Sequence, residues 1–375
     1  MCAMLQRSAG TIYRYDKIAE LHRIIDSQIA DGSALGMQVV AARHGQVMLD
    51  VALGMARRDP PAPVTHETLF YSWSVVKPVT AMAIHLLIER GQLSLDTPIV
   101  KVWSQFGKYG KDRVTVGQVL SHRAGFPILP KSFKWHEYGD WDAAARGMED
   151  AELQFEPGTA VQYHSLTFGW TLGEVVRRVD GRRIEQFARE EFFAPLKMNN
   201  SYLKIGEEQL ASAVELSARE DWEEGVKGAY LFNQPFVRFG VIPAAGMHTT
   251  ARDLARFYQM LLNSGELEGV CVLSAESILR ARTRASRDGE RERDTQWLSH
   301  RAYGFSLGGH ADSVWGGERG HPTAFGHSGW ATNTAFADPG HDLVCAVLNN
   351  FMLPDADNHR RLRAICDKVV EACED

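Results

Sequence analysis

Ser74 and Lys77 form an S-x-x-K in Tyr71-Ser-Trp-Ser74-Val-Val-Lys77-Pro-Val-Thr-Ala-Met-Ala-Ile-His-Leu-Leu-Ile88, at the mouth of an apolar run. Three residues along a helix are nearly one turn, so both side chains share a face. The hydroxyl falls at the N-terminal end, where free N–H groups and the helix dipole favour developing negative charge. A serine hydroxyl is a poor nucleophile until a base takes its proton. A lysine can do that once burial or cationic neighbours lower its pKa. Nearly every residue after Lys77 is apolar, which predicts a buried helix and a lysine held away from water. The pattern is short and also occurs at Ser201-Tyr-Leu-Lys204. That copy opens no apolar helix and reads as a chance match.

Two further segments could complete such a site. Phe155-Glu-Pro-Gly158-Thr-Ala-Val-Gln-Tyr163-His-Ser165 places a Tyr-x-Ser just before an apolar helical stripe. A nearby ammonium group lowers the pKa of a phenol, so a Lys–Tyr pair can share the handling of a proton. Alone, such a tyrosine is more often a half-buried residue with a satisfied hydroxyl. Phe325-Gly-His327-Ser328-Gly329-Trp330 precedes a hairpin pattern. A basic residue, a hydroxyl and a glycine at a strand edge allow close approach of a substrate. The Trp330 and Ser74 amides could then form an oxyanion hole. Alone, His327 is an ordinary loop histidine.

In order and context, the three segments resemble the serine β-lactamase-like and penicillin-binding-protein superfamily. The branch they look like holds class C β-lactamases, D-alanyl carboxypeptidases and family VIII carboxylesterases. The order there is S-x-x-K, then Y-x-N or Y-x-S, then K-T-G, H-[ST]-G or W-G-G. Leu120-Ser-His-Arg-Ala-Gly125, Ala194-Pro-Leu-Lys-Met198 and Gly246-Met-His-Thr-Thr-Ala-Arg-Asp-Leu-Ala255 add to the likeness, which spans about residues 20–370. The resemblance implies acylation of Ser74, proton handling by Lys77 and Tyr163, and an oxyanion held by the Ser74 and Trp330 amides. It implies a scaffold role for the His122 and Asp253 stretches. Ser165 and His327 depart from the asparagine and lysine that β-lactamases use to grip substrate. A neutral imidazole is a weaker anion partner than a fixed ammonium.

These departures, with no apolar leader at residues 1–10, lead us to expect a cytoplasmic esterase of small neutral acyl esters. The alternatives at the same site are a β-lactamase, a D-amino-acid peptidase or amidase, and an acyltransferase. A non-catalytic penicillin-binding-like module is the reading from a different class. A rival nucleophile, Ser306, lies in Gly304-Phe-Ser306-Leu-Gly308, which fits G-x-S-x-G but is not followed by a helical pattern. No H-E-x-x-H, G-x-G-x-x-G or P-loop occurs, so no metal or other cofactor is expected. The implied partner is a small-molecule ester or amide, with no nucleic acid and no membrane. Oligomeric state stays open.

The elements that must hold these residues follow from periodicity. A helical stripe covers 17–30, with Asp16 as N-cap, and two strands at 37–42 and 46–52 flank a tight turn. Helical stripes at 79–90, 166–178, 183–193 and 251–262 dominate the middle. Strand patterns return at 331–336 and 343–348, and an amphipathic helix closes the chain at 357–373. The expected class is α+β: an antiparallel sheet built from both ends of the chain, flanked by N- and C-terminal helices, with a large mostly helical insertion. The expected division is a sheet lobe of 1–73 and 285–375 and a helical lobe of 74–284, with the site in the cleft between them. Lys+Arg 41 against Asp+Glu 47 gives a net −6, the wrong sign for a dedicated nucleic-acid binder. No apolar run reaches the roughly 18 residues of a membrane span. Five scattered cysteines, without C-x-x-C, suggest neither disulfides nor zinc, and Cys345 reads as a core thiol. The run Ser286-Arg-Asp-Gly-Glu-Arg-Glu-Arg293 reads as a solvated loop. Phe133-Lys-Trp-His136 and Tyr230-Leu-Phe232 either line the cleft or pack elsewhere.

Overall fold

The computed structural model describes residues 5–8, 11–283, 285, 291–293, 308–309 and 319–374. Helix α1, Tyr15–Ala30, buries Leu21 and Ile25, one helical turn apart. It begins at Tyr15 with Arg14 as N-cap. Asp16 therefore sits in the first turn, bonded to the Arg14 guanidinium, and does not cap the helix. Strands β1, Gly36–Arg43, and β2, Gln46–Arg57, follow. His44 and Gly45 join them with φ of 50° and 70°. Two successive positive φ values are what a two-residue turn needs to follow the right-handed twist of its strands. Strand β3 is Ala62–Pro63.

The middle of the chain is helical. Helix α2, Lys77–Glu89, carries a proline in its first turn and buries every residue from Lys77 to Leu87. Helix α3, Thr167–Asp180, stops at Gly181, whose φ of 91° is costly for other residues. Helix α4 is Glu223–Phe232. Helix α5, Ala251–Leu262, is capped by the Thr250 hydroxyl accepting from the Asp253 amide. Strands return as β4, Gly308–Gly309, β5, Phe325–Ser328, β6, Thr334–Asp338, and β7, Leu343–Asn349. Helix α6, Asp355–Glu371, ends the chain.

The seven strands form one sheet in the order β4-β5-β6-β7-β1-β2-β3, with every neighbouring pair antiparallel. The two ends of the sequence meet at its centre, where Val347 of β7 faces Val39 of β1. Successive side chains leave opposite faces, so each strand feeds two cores. Val39, Ala41, Cys345 and Val347 face Leu21 and Ile25 of α1 and Leu362, Ile365 and Cys366 of α6. Val40, Ala42, Val344 and Ala346 join the larger core with Leu254 and Phe257 of α5 and most of α2 and α3. Covered on both sides, β7 is buried throughout, and Cys345 is the core thiol expected of it.

Residues 304–307 of the rival serine motif, Ser306 included, lie outside the described residues. Gly308 and Gly309 form β4, where a nucleophile elbow calls for a helix. Residues 286–290 of the charged run also lie outside the described residues. At its other end, Arg291 and Glu292 pair with Ala160 and Val161 in a short parallel ladder instead of forming a loop. No helix among the described residues is long and apolar enough to cross a membrane.

Candidate active site

Ser74 lies in a short 3-10 turn, Trp73–Val76, that leads into α2. Three ties hold this turn. Phe70 and Tyr71 pair with Thr249 and His248. The Ser72 amide donates to the Met247 carbonyl at 2.8 Å. Asn333 Nδ2 donates to the Tyr71 carbonyl at 2.8 Å, while Asn333 Oδ1 accepts from the Asn349 amide at 2.8 Å. The start of β6 is thereby fastened both to the serine turn and to the end of β7. Trp73, immediately before Ser74, has a φ of 51°, an unfavourable value for an aromatic residue that such ties can hold in place.

Lys77 has no exposed surface. Its Nζ donates to Ser74 Oγ at 3.1 Å and to the Ala244 carbonyl at 3.0 Å. Among the described residues no carboxylate pairs with it, and burial alone holds its pKa well below 10.5. The Tyr163 ring stands 4.8 Å from Nζ and the Phe168 ring 5.8 Å. Gly169 of α3 lets the turn that carries the lysine's acceptor come close, since a Cβ there would lie 2.3 Å from the Ala244 nitrogen.

Tyr163 stands between two histidines. The His122 ring is 4.9 Å away and the His327 ring 6.1 Å. The His164 amide donates to His122 Nδ1 at 3.1 Å, so this nitrogen carries no proton. The Phe126 amide donates to His164 Nε2 at 3.2 Å, and His164 Nδ1 donates to the Gln162 carbonyl at 2.7 Å. Both rings are thus fixed as neutral tautomers. Burial pushes His164 down to about 4 and His122 well below 6.5.

The 327–330 segment closes the other side. His327 Nδ1 donates to the Ser328 carbonyl at 2.7 Å, leaving Nε2 as a lone pair. Burial, with the nearby Lys77, lowers the His327 pKa to about 3, so the ring carries no charge at neutral pH. Ser328 Oγ bonds Thr334 Oγ1 at 3.1 Å. Gly329 is required by space: a Cβ there would lie 2.9 Å from both the Ser72 carbonyl oxygen and Trp73 Cβ. Among the described residues, the backbone N–H groups of Ser74 and Trp330 have no hydrogen-bond partner. Ser165 is exposed and makes no hydrogen bond among the described residues.

The second S-x-x-K is built differently. Ser201 is buried against Asp253 Oδ2 at 3.0 Å and Thr249 Oγ1 at 2.7 Å, and Lys204 is exposed. That serine ties the segment to α5 and has no desolvated amine beside it. Among the described residues no group of three or more His, Cys, Asp and Glu side chains is placed to hold a metal ion.

A family model described as Beta-lactamase matches residues 21–368. The chain belongs to the beta-lactamase family. It is 28% identical to the esterase/beta-lactamase LipL of Mycobacterium tuberculosis over 82% of this chain and 75% of that one. A penicillin-binding protein homologue from Caulobacter crescentus superposes with a TM-score of 0.81 at 28% identity, covering 95% of this chain and 98% of that one. A family VIII carboxylesterase structure gives a TM-score of 0.81 at 25% identity, covering 94% and 97%. As a member of this serine hydrolase superfamily, the chain brings Ser74 and Lys77, Tyr163 and the 327–330 segment to one place from three separate stretches of sequence.

Two parts of this beta-lactamase-family site escaped sequence reasoning. The Ala244 carbonyl that holds Lys77 has no residue-type signature. The His122–His164 pair is scattered over 42 positions, and only the adjacency of His164 to Tyr163 hinted at it. Of the aromatic stretches, Phe232 packs inward at 4.4 Å from Trp73, while Phe133 stacks on Tyr138 at 5.7 Å. Trp135 and Tyr230 are exposed.

Proposed function

We propose that the protein is a serine esterase of small neutral esters that works through an acyl-enzyme on Ser74. The observation that carries this reading is the buried Lys77 amine 3.1 Å from Ser74 Oγ, with no carboxylate partner among the described residues. The Ala244 carbonyl takes one N–H of the neutral amine, which leaves the lone pair for the serine proton. Ser74 Oγ attacks the ester carbonyl carbon, and the Lys77–Tyr163 pair takes the proton. The oxyanion sits against the Ser74 and Trp330 amides. The carbon–oxygen bond to the alcohol then breaks, and the alcohol leaves with the proton held by the pair. Water attacks the acyl-enzyme, gives a proton to the same pair and releases the acid, with Ser74 reprotonated.

Preference for esters over carboxylate-bearing lactams or peptides rests on His327. Its protonated nitrogen is turned to the Ser328 carbonyl, so it offers a substrate carboxylate no cation. The esterase in the name of the relative LipL and the carboxylesterase among the similar structures point the same way. LipL is also named as a beta-lactamase, and β-lactam hydrolysis is the second reading, at the same serine. The test is a panel of p-nitrophenyl esters, nitrocefin and D-amino-acid amides run on wild type and Ser74→Ala. We expect turnover of short esters well above that of nitrocefin, falling about a thousandfold or more in the variant. Undiminished ester turnover in Ser74→Ala would overturn the proposal, and nitrocefin as the best substrate would favour the second reading.

A further inference from the structure

Trp330 is half-buried in a stack of aromatic rings beside the serine turn. Its indole meets Trp73 edge-on at 5.1 Å and Trp222 at 5.9 Å. On a third side lies α4. There Gly228 faces the six-membered ring so closely that a Cβ would fall 2.6 Å from Trp330 Cη2 and 2.7 Å from Cζ3. A glycine inside a helix costs about 1 kcal/mol relative to alanine. Gly228 thus goes against helix propensity at the one place where the helix receives the indole.

The backbone explains why this ring matters. A residue that gives its amide to the oxyanion has its side chain only one bond away from the backbone that meets the substrate carbonyl. The polar groups, Lys77, Tyr163 and His327, cluster together, and the Trp330 ring belongs instead to the aromatic stack with Trp73.

We propose that the Trp330 indole is the specificity-determining wall for the apolar group flanking the scissile carbonyl, and that Gly228 sets its depth. The substrate class this implies is a neutral ester with a compact apolar group. The inference rests on the reading of Ser74 as the acylated residue. Filling Gly228 drives the indole off α4 and narrows the site; truncating Trp330 keeps the backbone amide and widens it.

The experiment measures how fast Ser74 is phosphonylated by ethyl and by hexyl fluorophosphonates, by mass spectrometry of the labelled peptide. The same ratio is read in turnover from p-nitrophenyl acetate and hexanoate. Gly228→Ala is expected to lower the long-to-short ratio about tenfold or more, and Trp330→Ala to raise it by a similar factor. If Gly228→Ala fails to fold, Trp330→Phe and Trp330→Ala carry the test, with the ratio expected to rise in that order. Labelling of Ser74 with an unchanged ratio in the variants overturns this inference alone. Failure to label Ser74 in the wild-type protein overturns the reading beneath it as well.

Discussion

The Lys77 ammonium position is bound on both sides by neutral oxygens, Ser74 Oγ at 3.1 Å and the Ala244 carbonyl at 3.0 Å, inside a side chain with no exposed surface. Burial without a counter-charge favours the neutral amine. The amine must be neutral to act as a base, so kcat/KM for ester hydrolysis should rise with pH through an apparent pKa well below 10.5 and then level off. A pH–rate profile from 5 to 10 checks this. A rise that continues toward 10.5 would show a solvated lysine.

The same burial should weaken the fold. The folded pKa of Lys77 lies below its unfolded value, so between the two the unfolded chain binds the extra proton and the folded state loses stability as pH falls. Lys77→Met should therefore abolish esterase activity yet raise stability at pH 7 by roughly 0.5–2 kcal/mol, a gain that shrinks as pH approaches 10.5. Urea titrations at pH 7 and 10 measure it. Lower stability of the variant at pH 7 would count against the argument.

Gly329→Ala should act on rate. Its Cβ would meet the Ser72 carbonyl oxygen at 2.9 Å, and backbone cannot yield as a side chain does. The shift falls on the adjoining Trp330 amide. Loss of one oxyanion donor lowers kcat by about a hundredfold or more. We expect that loss with KM little changed, read from steady-state kinetics on p-nitrophenyl butyrate.

His327→Lys should change preference. A lysine there places a cation where His327 offers a lone pair, beside the 6.1 Å contact with Tyr163. The ratio of kcat/KM for nitrocefin, which bears a carboxylate, to that for p-nitrophenyl butyrate should rise about tenfold, the effect of one favourable charge-assisted bond. No change in the ratio would remove His327 from substrate selection.

Acid should unfold the protein earlier than its carboxylates alone require. Burial lowers His164 to about 4, His85 and His327 to about 3, and His122 and His248 well below 6.5. These groups are neutral in the folded state, and the unfolded chain takes up their protons first. Their contribution is full above pH 6.5 and is lost as pH falls from there toward 4 and 3. Each proton adds up to about 1.4 kcal/mol per pH unit to the slope. Denaturant midpoints should thus fall steeply between pH 6.5 and 4.5, before most carboxylates titrate. His164→Gln should flatten that slope.

Much of this was written in local pattern. Strand patterns and helical stripes marked β1, β2, β6, β7, α1, α2, α3, α5 and α6, because hydrophobic burial leaves its mark directly on the chain. The proposed nucleophile and base were legible for the same reason: Ser74 and Lys77 are three residues apart, and one turn of backbone sets their separation. The buried context of Lys77 was visible in the apolar run that follows it. The antiparallel sheet formed from both ends of the chain followed from strands at each end with helices between.

Tertiary structure alone decided the rest. The motif positions themselves do not distinguish Ser74-x-x-Lys77 from Ser201-x-x-Lys204; the apolar run after Lys77 favours the first, and the structure shows why. The difference is that the first lysine is buried with no carboxylate partner among the described residues, while the second is in water and its serine is spent on Asp253. The Ala244 acceptor, the neutral tautomers of His122 and His164, and the Gly228–Trp330 contact each join segments tens to more than a hundred residues apart. Such contacts depend on how packed elements approach in space, which the residue types at either end do not record.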